Sequence, residues 1–430
     1  CMDGRVYPNR VPHTGVVQYW NVYRPARRAA FDQAGQRVRL HNYLDFTDLS
    51  DALTLHYAVS CDGRRLQTGD ISCPPIPPHG EGEVEIPFRS PARGKAFLRL
   101  SYRQRNNSPL VPAGHPLGFD ELPLETADGR HQMAVRLLEK PSTGAPSAAE
   151  NDTEIILIGD GFRYCFDKRT GLFSAMEYAG KPLLDRPMEL NIWRAPTDND
   201  RLLRLEWERA HYDWAAARAH RTAWETAGSA VAIRTESVLS APTVQPFLSL
   251  GTVWTVWGDG AVDIHMDVRR DTEFPELPRF GLRLFLPKAL SEVEYFGMGP
   301  RESYCDKHRA AWHGRFTSSV ERLHEDYLRQ QENGSRFDCD YVTLTGDGCA
   351  LTAVSETPFC FSASPYTQEE LTGKKHNFEL RPCGSTVLCL DCAQNGIGSN
   401  SCGPRLQKQY RLDAEAFSFG LRLLPRAPAE

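Results

Sequence analysis

Apolar and polar positions alternate along most of this chain, in short runs broken by turn residues. Between about residues 30 and 137 the runs are RVRLHNYLDF, LTLHYAVSCDG, EVEIPF and KAFLRLSYRQ, divided by Asp/Gly or Pro/Gly turns. A period of two with such punctuation predicts antiparallel strands, and the spacing suits a sandwich of immunoglobulin-like size over residues 30–137. The stretch before it, residues 1–29, carries Pro8, Pro12 and Pro25 and no helical period. It reads as an extended connector running over something else. After the sandwich, EKPSTGAPSAAEND lacks large apolar residues, which predicts a linker over residues 138–152.

Residues 153–430 return to the strand pattern, with EIILIGDGFRYCFD, TVWTVWGDGAVDIHMDV, FGLRLFLP, VEYFGMGP, DYVTLTG, TPFCFSAS, FELRPCG, TVLCLDC and FSFGLRLLP. One stretch, Leu202 to Ala219, spaces its Leu, Trp and Ala residues to allow an amphipathic helix. Strand and helix never alternate. The fold class is therefore all-β, and a doubly wound sheet or a (β/α)8 barrel is excluded for these residues.

Composition narrows the setting. Charged residues make up 24% of the 430, the formal net charge is -5, the pI is near 6.3 and mean hydropathy is -0.46. With no Lys/Arg block interleaved with aromatics, nucleic acid is not an expected partner. No apolar run approaches the about 18 residues of a membrane span, and the start, CMDGRVYPNR, has no apolar signal-peptide core. That start looks like a cut rather than a natural beginning. Twelve cysteines without a framework of short spacings fit reduced thiols, so a cytoplasmic setting is expected. Cys389 and Cys392 form a C-x-x-C, but inside a predicted strand their sulfurs point to opposite faces and cannot share a metal.

Candidate chemistry gathers in three loops that end strands: RAPTDND (194–200), made of polar turn formers, and GMGPRESYCD (297–306) and AQNGIGSNSCGP (393–404), which mix glycine with polar groups. In the first, NIWRAPTDND, the strand-like start meets Pro196 and then Thr197, Asp198, Asn199 and Asp200, all turn formers, with no basic residue between them and Arg201. Such a loop could meet sugar hydroxyls, a cation or donors of another domain, or be a solvated turn. His308, His313 and His324 follow Glu302 within a polar stretch, which permits an acid–base pair. No G-x-S-x-G, H-E-x-x-H or phosphate-binding loop is present.

In order and spacing, RAPTDND, YFGMGPRESYCD, QQENGSRFDCDYV, FSASPYTQEEL and NGIGSNSCGP resemble the C-terminal part of the bacterial β-galactosidases of glycoside hydrolase family 2. YPNRVPH resembles the point in that family where the catalytic barrel has ended. The resemblance implies an immunoglobulin-like β-sandwich at 30–137 and, at 153–430, a large β-supersandwich related in fold to galactose mutarotase. It also implies that the catalytic glutamates, magnesium and sodium belong to a barrel outside this chain, leaving no catalytic residue and no cofactor here. Glu302 and Glu332 would be structural or interface residues. Asp198, Asn199 and Asp200 would border the substrate entrance, and Ser401 and Cys402 the aglycone subsite. Cys402 stands where family members often carry Trp, and a thiol offers no broad face for a sugar ring. The implied partners are the chain's own catalytic barrel, a galactoside substrate such as lactose, and further copies in a homo-oligomer of the full enzyme. A free-standing mutarotase-like enzyme or a carbohydrate-binding module is the alternative.

Overall fold

The computed structural model describes residues 6–141, 143–398 and 403–427, and strands are their commonest regular structure. The first sandwich pairs a three-stranded sheet (Ala26–Asp32, Arg37–Asn42, Glu81–Glu85) with a four-stranded one in the order Arg64–Ser72, Leu53–Cys61, Ala96–Gln104, Pro116–Leu124. Alternation does the work expected of it. In Arg37–Asn42 the side chains of Val38 and Leu40 turn inward to meet Leu55, Val59, Leu98, Leu100 and Leu122, while Arg37 and Arg39 face water.

The segment ahead of this sandwich is not extended throughout. Thr14–Val22 is a helix. Its buried residues are Thr14 and Asn21, seven apart on one face, so the inward side is polar and leaves no apolar period to read. The Asn21 amide donates to the Arg309 carbonyl at 2.8 Å and its oxygen accepts from the Phe119 N–H at 2.8 Å. Gln18 accepts from the Ala310 N–H at 3.0 Å. The helix thus straps the two sandwiches together.

The second unit sets a five-stranded sheet (Lys181–Pro182, Leu172–Tyr178, Phe162–Asp167, Glu154–Gly159, Ser147–Glu150) against a twelve-stranded one. The large sheet runs Arg186–Asn191, Arg279–Pro287, Ser385–Gln394, Cys349–Ser364, Ala416–Arg426, Val262–Arg270, Leu248–Trp257, Ala230–Ser240, Ala216–Ala227, with Glu292–Gly299, Trp312–Ser319 and Arg336–Gly346 off this path. Ser147–Glu150, within the predicted linker, is an edge strand: SAAE pairs through its backbone with Ile155–Ile158 and needs no large apolar side chain to do so. The predicted helix over Leu202–Ala219 is shorter, Leu203–Arg209, anchored by buried Leu203 and Trp207. His211 in the left-handed region (φ 57°) ends it, and Ala216–Ala227 continues as an outer strand.

A separate apolar cluster seals the contact between the units. Phe97 from the first sandwich and Ala134 and Leu137 from the short helix Gln132–Leu137 meet Trp257, Phe296, Tyr341, Val354 and Leu424 from the second. Cys389 is buried beside Phe285 and Val387, whereas Cys392 packs on the main core of the other face. The ten described cysteines are all free.

Candidate functional site at the loop end of the large sandwich

The three candidate loops converge. Loop 194–200 leaves the strand Arg186–Asn191 and closes into a 3-10 turn, Asp198–Arg201, through a capping box in which Asp200 accepts from the Thr197 N–H at 2.9 Å. Asp200 is no ligand-facing carboxylate. It is buried, and Arg194, also buried, forks onto it with Nη2–Oδ1 at 2.7 Å and Nε–Oδ2 at 3.2 Å. The cation that the turn itself lacks comes from six residues upstream, and it lies 5.1 Å over the Trp207 ring.

Asp198 and Asn199 take different directions. Asp198 is exposed and pairs with Arg329 at 2.8 Å, while its N–H donates to Gln331 Oε1 at 3.2 Å. It lines a cavity of about 330 Å³ together with His13, Tyr19, Lys307, Tyr327 and Arg329. Asn199 turns toward the third loop and donates from Nδ2 to the Ile397 carbonyl at 2.7 Å. Ser401 and Cys402 lie outside the described residues.

Behind this surface the acidic groups are tied to cations and donors. Glu302 is buried and accepts from Lys307 at 2.7 Å, Tyr327 at 2.5 Å and the Gly334 N–H at 3.0 Å. Burial pushes its carboxyl up, but these three donors outweigh it and hold Glu302 below the ordinary carboxylate range. Glu332 lies 2.7 Å from Arg279 Nη1 and accepts from the Ala195 N–H at 3.1 Å, and its own N–H returns to the Ala195 carbonyl at 2.8 Å. Arg279 also forks onto Asp391, with Nε at 3.0 Å from Oδ1. Two carboxylates share one guanidinium, and burial raises both Glu332 and Asp391 against its pull. Asp306 accepts from the Ile397 and Gly398 N–H groups at 3.0 and 2.7 Å.

The histidines do not gather around Glu302. His308 and His313 line a cleft of about 450 Å³ between the sandwiches. His308 packs its ring near Phe337, and burial pushes it below its usual range. His324 lies against Tyr366 with neither ring nitrogen hydrogen-bonded. Sequence reasoning named the loops that hold Arg194 and Asp306 without giving either residue a role, and it missed the helix Thr14–Val22 as part of this end of the molecule. Asp306 ends the glycine-bearing loop 297–306, but its partners are 91 and 92 residues away, and no local pattern reports such a pairing.

Residues 158–423 match the family described as "Beta galactosidase small chain", and residues 38–125 match "Beta-galactosidase, domain 4". The chain belongs to the β-galactosidase small chain family. It is 40% identical over 428 residues to a beta-galactosidase of Actinobacillus pleuropneumoniae, covering 99% of this chain and 41% of that protein. It is 29% identical to a beta-galactosidase of Staphylococcus xylosus, again over 99% of this chain and 42% of the relative. The chain therefore spans about two-fifths of the length of these relatives. Among solved structures, a galactose 1-epimerase from Lactobacillus acidophilus NCFM aligns with 66% of this chain and 98% of its own at 9% identity, with a TM-score of 0.38.

Proposed function

We propose that this chain is the C-terminal, non-catalytic part of a β-galactosidase that hydrolyses terminal β-D-galactosides such as lactose. In this reading the loop end, with Asp198 and Asn199 at its surface and Asp200 beneath, borders the aglycone side of a site whose chemistry is supplied by a catalytic barrel. The observation that carries it is the joint match to two β-galactosidase domains over a length that leaves three-fifths of the relatives outside this chain. The geometry supports it independently. Retaining hydrolysis needs two carboxyls about 5–5.5 Å apart and free to act on a sugar. Here Glu302, Glu332, Asp391 and Asp200 are each engaged by an arginine or lysine, and Asp306 by two backbone amides.

The exposed apolar side chains near this end favour a covering partner. Tyr19 on the strap helix and Tyr23 at its C-terminal end lie with ring centroids 4.3 Å apart, and Leu202 and Leu205 stand exposed near Asp198 in sequence. We assign that cover to the barrel of the same enzyme, and magnesium and sodium to the barrel as well. The whole protein is read as a cytoplasmic homo-oligomer. Among the described residues no helix is long and apolar enough to cross a membrane.

The test is complementation. The chain alone is expected to leave a nitrophenyl galactoside intact and to restore hydrolysis when combined with a barrel-bearing fragment. Anomer exchange of galactose by the chain alone, well above the buffer rate, would instead favour a mutarotase-like enzyme.

A further inference from the structure

The four residues Asn395–Gly398 have no secondary structure, yet their backbone groups are paired almost entirely with atoms from elsewhere in the fold. The Asn395 N–H donates to the Pro278 carbonyl at 3.0 Å and the Gly396 N–H to the Tyr410 carbonyl at 2.9 Å. The carbonyls of Asn395 and Gly396 accept from Arg194, the second at 3.1 Å. The Ile397 carbonyl accepts from Asn199, and the Ile397 and Gly398 N–H groups converge on the two oxygens of Asp306. A loop of ordinary mobility leaves such groups to water. This one is held by side chains of the other two loops.

Its glycines make that possible. A Cβ at Gly396 would stand 2.7 Å, and at Gly398 2.9 Å, from Asp306 Oδ2, so a side chain at either position would displace the carboxylate from the amides it binds. Asp306 is also next in sequence to Lys307, which lines the same cavity as Asp198, and Asn199 is next to Asp198. The groups that fix the tetrapeptide and the groups that shape the cavity are therefore neighbours on the same two loops.

We infer that Asp306 is a positioning residue for the aglycone side of the site, acting by clamping the Ile397 and Gly398 amides, with Asn199 as its second hold on the same loop. This rests on the functional reading above. The clamp fixes where the chain goes after leaving the strand Ser385–Gln394, and so sets the wall that the leaving part of a galactoside meets. The galactose ring itself lies with the barrel and is indifferent to it.

The experiment compares Asp306→Asn and Asn199→Ala with the unsubstituted full-length enzyme. Asp306→Asn keeps the side-chain shape but leaves one acceptor oxygen where two amides need one each. Hydrogen exchange of the segment containing Ile397 and Gly398 is expected to rise about tenfold in both variants with the rest of the protein unchanged. KM for lactose is expected to rise several-fold, and KM for a methyl galactoside and inhibition by free galactose to stay within a factor of two. Unchanged exchange in both variants, or a change in KM that is the same for every aglycone, overturns the inference. An unsubstituted enzyme that hydrolyses no galactoside overturns the functional reading and the aglycone role with it, while the exchange result still decides whether Asp306 clamps the loop. Should Asp306→Asn fail to fold, Asn199→Ala carries the same comparison.

Discussion

His313 holds Glu121 of the first sandwich with its Nδ1 at 2.6 Å, and its Nε2 lies 2.9 Å from Asp338 of the second. Its ring stacks on Phe97 with centroids 4.2 Å apart and planes 3° from parallel. Burial pushes the imidazole down, but the two carboxylates outweigh it and raise its pKa to about 9. Asp338 is the reciprocal case: burial raises it, and His313 and Lys95 bring it below its usual range. Lys95, from the first sandwich, adds 2.8 Å to Asp340 and 3.6 Å to Asp338.

The pH dependence of stability follows from those directions. A histidine whose folded pKa lies above its unfolded value of about 6.5 contributes fully below that value and loses its contribution as pH rises through the folded one. The contact between the sandwiches should therefore weaken from about pH 6.5 to about pH 9. His313→Gln should remove on the order of 2 kcal/mol at neutral pH and flatten that slope. Urea midpoints measured across the range check both.

His131 should act in the opposite direction. Its Nδ1 caps the helix Gln132–Leu137 by accepting from the Ala134 N–H at 3.4 Å, which requires a neutral ring, and burial against Phe296 and Tyr341 lowers its pKa. A group lowered in this way contributes above its unfolded pKa and loses that contribution as pH falls. Replacement by Asn, which keeps a capping oxygen, should reduce the acid-side loss of stability. Thermal unfolding of the variant between pH 4 and 7 tests this.

Removing Arg279 should be severe. Its loss would leave Glu332 and Asp391 facing each other in the interior without their shared cation. Arg279→Met is expected to cost about 3–5 kcal/mol, and Glu332→Gln far less because the amide oxygen still accepts from the Ala195 N–H. Chemical denaturation of the two variants distinguishes them.

Asn21→Ala should loosen the strap without opening either core. The substitution removes one hydrogen bond to each sandwich, worth about 1–3 kcal/mol together. Protease cleavage within residues 6–23 should accelerate while the two sandwiches stay resistant.

The sheets were legible because alternation encodes burial directly: Val38 and Leu40 face the core wherever Arg37 and Arg39 face water. The strap helix was not, since its inward residues, Thr14 and Asn21, are polar and earn their burial through hydrogen bonds to distant strands. The loop end was half legible. Turn residues located Thr197–Asp200, but which carboxylate faces inward depends on Arg194 folding back onto Asp200, and the Asp306 clamp depends on amides 91 and 92 residues away. The Ser147–Glu150 strand was hidden for a simpler reason, because edge pairing needs only backbone.

The most direct measurement of the proposed role is hydrolysis of a nitrophenyl galactoside by the chain alone, by a fragment equivalent to the three-fifths of the relatives that this chain does not span, and by the two combined. Activity only in the combination is the predicted result. Turnover by this chain alone would contradict it.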